Sequence, residues 1–246
     1  MQIMVDGLLT NYEVFGPKNK NCLLILHGWL RSIDEWIPVA KKLSYKFRVI
    51  LLDLPGFGLS VKPKRSFNIR EYSRFVESFL KKFQVDRCVL MGHSFGGRIG
   101  ILLASEDSLI SKLVLVDSAG IERKSLKTRI EISIARLVSK YLLKHLPKKY
   151  AYKMRSFFGS ADYNEAGYMR DIFKKVVRED LTKHFSKIKS PTYILWGDKD
   201  PVLNVSQTKI FKNEIPNSTV RVVWGAGHNP HIEKPNEFMA IIEEIL

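Results

Sequence analysis

The chain has 246 residues, 45% of them hydrophobic, which suffices for one substantial core and fits a single domain better than several. Its 40 Lys and Arg against 25 Asp and Glu leave a net charge of +15, a statement about solubility and attraction to anions that selects no chemistry. No apolar stretch approaches the roughly 18 residues of a membrane span and the N-terminus carries no secretion signal, so a soluble, cytoplasmic protein is expected.

Residues 3–15, IMVDGLLTNYEVF, set Asp6-Gly7 between two apolar runs and predict an antiparallel hairpin at a sheet edge. Short apolar runs of the buried parallel-strand kind follow at 22–26, 48–52, 87–91, 112–116, 192–196 and 220–224. Helical faces alternate with them: Trp36, Val39, Ala40 and Leu43; then Tyr72, Phe75, Val76, Phe79 and Leu80; and finally Phe238, Ile241, Ile242 and Ile245. This alternation predicts an α/β architecture with a mostly parallel central sheet and helices on both faces. Cys22 and Cys88 each adjoin a strand run without paired spacing, so buried thiols are expected, with no disulfide and no metal site.

From 121 to 185 the strand rhythm stops, and Leu126, Ile130, Ile134, Leu137 and Tyr141 keep helical spacing. A helical insertion over 121–185 is therefore expected, dividing a core domain made of 1–120 and 186–246. Residues 121–190 hold 18 Lys and Arg against 7 Asp and Glu, most of the chain's excess charge. The basic amphipathic helix read over 124–146 reads first as a solvated face and second as a contact for an anionic membrane surface. No nucleic-acid-binding motif accompanies the charge, and no nucleic-acid partner is expected.

The chemistry concentrates in Gly92-His93-Ser94-Phe95-Gly96-Gly97, which follows the strand run RCVLM and precedes the helical run RIGILLAS. In that strand-turn-helix context a G-x-S-x-G pattern projects the serine hydroxyl above the sheet and aims a helix N-terminus at developing negative charge. A serine needs a base. His228, in Gly225-Ala-Gly-His-Asn-Pro-His231 just after the last strand run, is the preferred one; His231 is its rival, His93 packs against the sheet, and His145 and His184 read as surface residues. The acid should leave a strand end between serine and histidine. Gly197-Asp198-Lys199-Asp200 offers two; Asp200 has the reach, Asp198 suits a turn cap, and Asp117 after KLVLV is a third position. The oxyanion hole is expected from the backbone N–H groups of Phe95, after the nucleophile, and Trp29, in His27-Gly28-Trp29. The segment Asp53 to Ser60 lacks the ending of a phosphate loop.

These landmarks, with Asp6-Gly7 and Asp53-Leu-Pro-Gly-Phe-Gly-Leu-Ser60, run in order over nearly the whole chain, which resembles the cap-bearing, esterase-like branch of the α/β-hydrolase superfamily. The resemblance implies a helical cap over 121–185, an active site between cap and sheet, a Ser94-His228-Asp200 triad and no cofactor. It does not fix the substrate; the expected one is a small-molecule carboxylic ester with an apolar acyl group. Lactones or thioesters would react by the same steps. C–C bond hydrolysis of vinylogous diketones and a non-catalytic small-molecule receptor are the alternatives on this scaffold. Arg98, after the elbow, is a weak sign of an acidic substrate.

Overall fold

The computed structural model describes residues 1–106, 109–122 and 169–246. Eight strands form one sheet in the order β1-β2-β4-β3-β5-β6-β7-β8. They are β1 (Gln2–Val5), β2 (Leu8–Phe15), β3 (Cys22–Leu26), β4 (Arg48–Leu52), β5 (Cys88–His93), β6 (Ile110–Val116), β7 (Thr192–Gly197) and β8 (Ser218–Val223). The first two pair antiparallel and β2 runs antiparallel to β4, while every pairing from β4 to β8 is parallel. The expected hairpin turns at Asp6 and Gly7, whose φ angles of 46° and 76° are the left-handed pair that a two-residue hairpin demands.

Successive residues of the parallel strands go to opposite faces, and both faces are covered, so β3 is buried at all five positions. Leu24, Leu26, Leu90 and Leu115 join the core formed with α2 (Ile69–Lys82) and α3 (Phe95–Glu106). Leu23, Ile25, Met91 and Val116 pack the other face, against α1 (Ile37–Leu43) and the C-terminal helix (Pro235–Ile245). A complete capping box starts α2: Asn68 accepts the Glu71 backbone N–H, and the Glu71 carboxylate accepts that of Asn68. Cys22 and Cys88 sit opposite one another on β3 and β5 as free, buried thiols. No described helix is long and apolar enough to cross a membrane.

Most of the expected insertion, including the basic helix over 124–146 and His145, lies outside the described residues. Its C-terminal limb forms α4 (Arg170–Arg178) and α5 (Thr182–Phe185), whose Ile172, Phe173, Val176 and Phe185 enter the same core as α2 and α3. Two expectations need correction. His184 is not a surface residue: it is buried, bonded between Arg70 (3.2 Å) and the Ser105 hydroxyl (3.2 Å). The last strand ends one residue early, at Val223, because Gly225 turns the chain with φ 76°; Trp224 is left 75% exposed.

Candidate active site

Ser94 stands between β5 and α3 with φ 48°, a left-handed conformation that a non-glycine residue adopts only when its surroundings impose it. The imposition is visible. Ser94 donates its backbone N–H to Val116 O (3.0 Å), while its carbonyl accepts from Gly97 (3.2 Å) and Ala119 (3.2 Å), so the end of β6 clamps the turn. Side chains cannot enter it: a Cβ on Gly92 would meet Gly96 O at 2.6 Å, and one on Gly96 would meet Leu26 O at 2.4 Å.

His228, on the loop after β8, presents Nε2 to Ser94 Oγ at 3.1 Å and Nδ1 to Asp200 Oδ2 at 2.7 Å. A neutral imidazole carrying its proton on Nδ1 satisfies both contacts, donating to the carboxylate and accepting from the hydroxyl. Asp200 comes from the loop after β7. Its other oxygen, Oδ1, accepts the N–H groups of Val202 (2.7 Å) and Leu203 (2.9 Å), which holds the carboxylate independently of the histidine. Asp198 instead accepts the Gly225 N–H at 2.5 Å and ties the β7 loop to the β8 loop. His231 does not approach Ser94; it stacks on Trp36 with ring centroids 3.9 Å apart and faces Glu35 at 3.7 Å.

Glu233, which carries no sequence signal, and His93, read from the sequence only as packing against the sheet, hold the histidine loop. Glu233 accepts the N–H groups of Gly227 (2.6 Å) and Asn229 (3.0 Å), on either side of His228. His93 donates from Nε2 to the His228 carbonyl at 2.8 Å, and burial, reinforced by His231 and His228, pushes its pKa well below the usual histidine value, so it remains neutral.

Across the cleft, the His27-Gly28-Trp29 loop is fastened to the elbow by the Gly96 N–H, which donates to His27 O at 3.2 Å. His27 itself is buried and bridges Gly28 O (2.7 Å) and the Leu54 N–H (3.0 Å). Trp29 packs edge-on to Phe95 at 5.2 Å and against Phe173 of α4 at 5.1 Å. The backbone N–H groups of Trp29 and Phe95 have no acceptor among the described residues. Asp53 accepts Asn11 Nδ2 (2.8 Å) and the N–H groups of Ile33 (2.8 Å) and Leu59 (3.0 Å), so the glycine- and proline-rich loop after β4 is a structural brace. A cleft of about 420 Å³ opens onto Ser94 and His228, with Gly28, Arg31, Lys199 and Val202 on its walls.

The family model described as "alpha/beta hydrolase fold" matches residues 21–137 and 123–235. The chain belongs to the α/β-hydrolase fold family. Among its relatives, the uncharacterized hydrolase YugF of Bacillus subtilis is 29% identical over 94% of this chain and 92% of its own length. The monoacylglycerol lipase ABHD6 of Mus musculus is 26% identical, covering 94% of this chain and 76% of the relative. Among solved structures, a bacterial membrane phospholipase A superimposes with a TM-score of 0.79 at 29% identity, covering 100% of this chain and 86% of that one.

Arg98 departs from the reading of it as an acidic-substrate residue. It is buried within α3, is not among the residues lining the cleft, and donates to Glu179 O (2.7 Å) and Val177 O (3.2 Å) at the end of α4. Burial lowers its pKa to about 10, yet the guanidinium remains charged at neutral pH. Among the described residues only Asp117, Asp200 and His228 gather three metal-ligand atoms, within 4.8 Å of one another. Two of those groups are bonded to each other at 2.7 Å and Asp200 also accepts two backbone N–H groups, so the cluster is built to hold a histidine and fits a cation poorly.

Proposed function

We propose that the protein hydrolyses carboxylic esters through an acyl-enzyme on Ser94, with His228 as base and Asp200 as its orienting acid. The observation that carries this reading is the unbroken sequence of contacts from Ser94 Oγ to His228 Nε2 (3.1 Å) and from His228 Nδ1 to Asp200 (2.7 Å) at a left-handed elbow. Ser94 Oγ attacks the ester carbonyl carbon as His228 Nε2 takes its proton. The oxyanion accepts the free N–H groups of Trp29, in the loop after β3, and of Phe95, at the N-terminus of α3. Collapse expels the alkoxide, which leaves as the alcohol with the proton held by His228. Water then attacks the acyl-enzyme by the same proton path and releases the acid.

Trp29, which lines the cleft and is backed by Phe57, Phe95 and Phe173 in the core, and Val202 offer apolar surface that suits an apolar acyl group. A relative that is a monoacylglycerol lipase and a structural neighbour that is a phospholipase A favour ester bonds of acyl lipids within that class. The test is a graded series of p-nitrophenyl esters together with a fluorophosphonate label. Ser94→Ala should lose both labelling and turnover, kcat falling by about 10⁴ to 10⁶. Near-normal ester hydrolysis by that variant overturns the mechanism.

A further inference from the structure

Asp117 ends β6 one residue past the strand, and its side chain is completely buried. Its Oδ1 accepts the Gly197 N–H at 2.9 Å. Its Oδ2 is buried with no hydrogen-bond donor among the described residues. A ligand atom of Asp117 lies within 4.8 Å of those of Asp200 and His228. Two buried carboxylates this close cannot both carry charge cheaply: the desolvation cost falls on each, and their repulsion is felt in a low-dielectric interior.

The donors divide unequally between them. Asp200 receives three hydrogen bonds, from Val202, Leu203 and His228, whereas Asp117 receives one. The anion therefore belongs on Asp200 and a proton on Asp117. An ionised Asp117 Oδ2 would be an unsatisfied buried acceptor, but a protonated one becomes a donor whose near neighbour is a carboxylate with lone pairs to spare.

We propose that Asp117 is a neutral carboxylic acid that hydrogen-bonds through its Oδ2–H to the Asp200 carboxylate, a fourth member that positions the acid of the Ser94–His228–Asp200 array. This rests on the reading of that array as catalytic. The environment agrees, since burial foremost, with Asp200 and Glu233 adding repulsion against the opposing Gly197 hydrogen bond, raises the Asp117 pKa to about 9. The ionisable groups facing it are Asp200, Glu233 and His228. The bond has two consequences. It restrains the Asp200 carboxylate in the plane that meets His228 Nδ1. It also removes a second negative charge that would hold a proton on His228 and disable it as a base.

Infrared spectroscopy of the free protein reads the proton directly. The difference between wild type and Asp117→Asn at neutral pH should contain a carboxylic-acid C=O band that fades as pH rises through about 9. No such band overturns the proposal, and because no turnover is involved, it does so independently of whether Ser94 is a nucleophile. The pH dependence of kcat/KM is the second arm. Asparagine keeps an acceptor for Gly197 and a donor for Asp200 while leucine keeps neither, so kcat should fall further in Asp117→Leu than in Asp117→Asn at little change in KM, and the acid limb of the profile should stay in place in Asp117→Asn. A protonated Asp117 that only packs the core would give the same band but equal kcat in the asparagine and leucine variants, and that result overturns the positioning role. An ionised Asp117 would be exposed by a limb displaced to lower pH in the variant, because losing a neighbouring negative charge weakens proton binding at His228, and that result also overturns the proposal.

Discussion

Asp198 and Asp200 lie two residues apart in one loop, and their partners separate them. Asp200 meets His228 at 2.7 Å, while Asp198 accepts a backbone N–H from Gly225. Asp200→Asn should cost roughly 10⁴ in kcat by favouring the wrong histidine tautomer, as in serine hydrolases generally. Asp198→Asn keeps a short polar acceptor for Gly225 and should leave kcat within about tenfold of wild type, losing stability instead. Steady-state kinetics of the two variants checks the ranking, and the opposite order would move the acid to Asp198. The preference for Asp200 was legible in the sequence because a carboxylate needs loop length to cross from one strand end to the neighbouring loop. Asp117 was legible as a position and not as a role: nothing local records that its Oδ2 is buried without a donor.

At the scale of elements, the elbow was readable because its constraints are local. Gly92 and Gly96 exclude side chains within one turn, and the strand run before and helical run after Ser94 are contiguous in sequence. The partners of Arg98 were not readable, since they are backbone carbonyls 79 and 81 residues away, which carry no residue identity. Arg98 fastens the end of α4 to α3, and α4 brings Phe173 against Trp29 in the cleft. Arg98→Met should therefore destabilise the protein by about 2–4 kcal/mol, since it removes a buried charged donor from two carbonyls. KM should rise alike for neutral and anionic esters. Thermal unfolding and paired substrates measure both, and a loss confined to anionic esters would return Arg98 to the role of substrate ligand.

The whole molecule carries the energetic cost of holding Asp117 protonated. Its pKa rises from 3.8 to about 9 on folding, so between those values the unfolded chain releases a proton that the folded protein retains. Stability from this group is fully present below pH 3.8 and is lost as pH rises toward 9. Asp117→Asn does not titrate, so its Tm relative to wild type should climb from about pH 5 to about pH 9, and a flat difference would contradict the assignment. The alternation of strand and helix made the sheet legible at this scale, because burial on both faces leaves continuous apolar runs in the sequence. Strand order and the burial of His184 depend on contacts between distant segments and leave no such trace.

The contact between Ser94 and His228 spans 134 residues and bridges loops on strands that are not neighbours, with β6 and β7 standing between β5 and β8. Closing so long a loop costs entropy that only the completed sheet returns. On the proposed mechanism, a partly folded chain whose β7 and β8 have not docked would hold Ser94 in its strained turn without its base, so chemical competence would arrive only as folding ends.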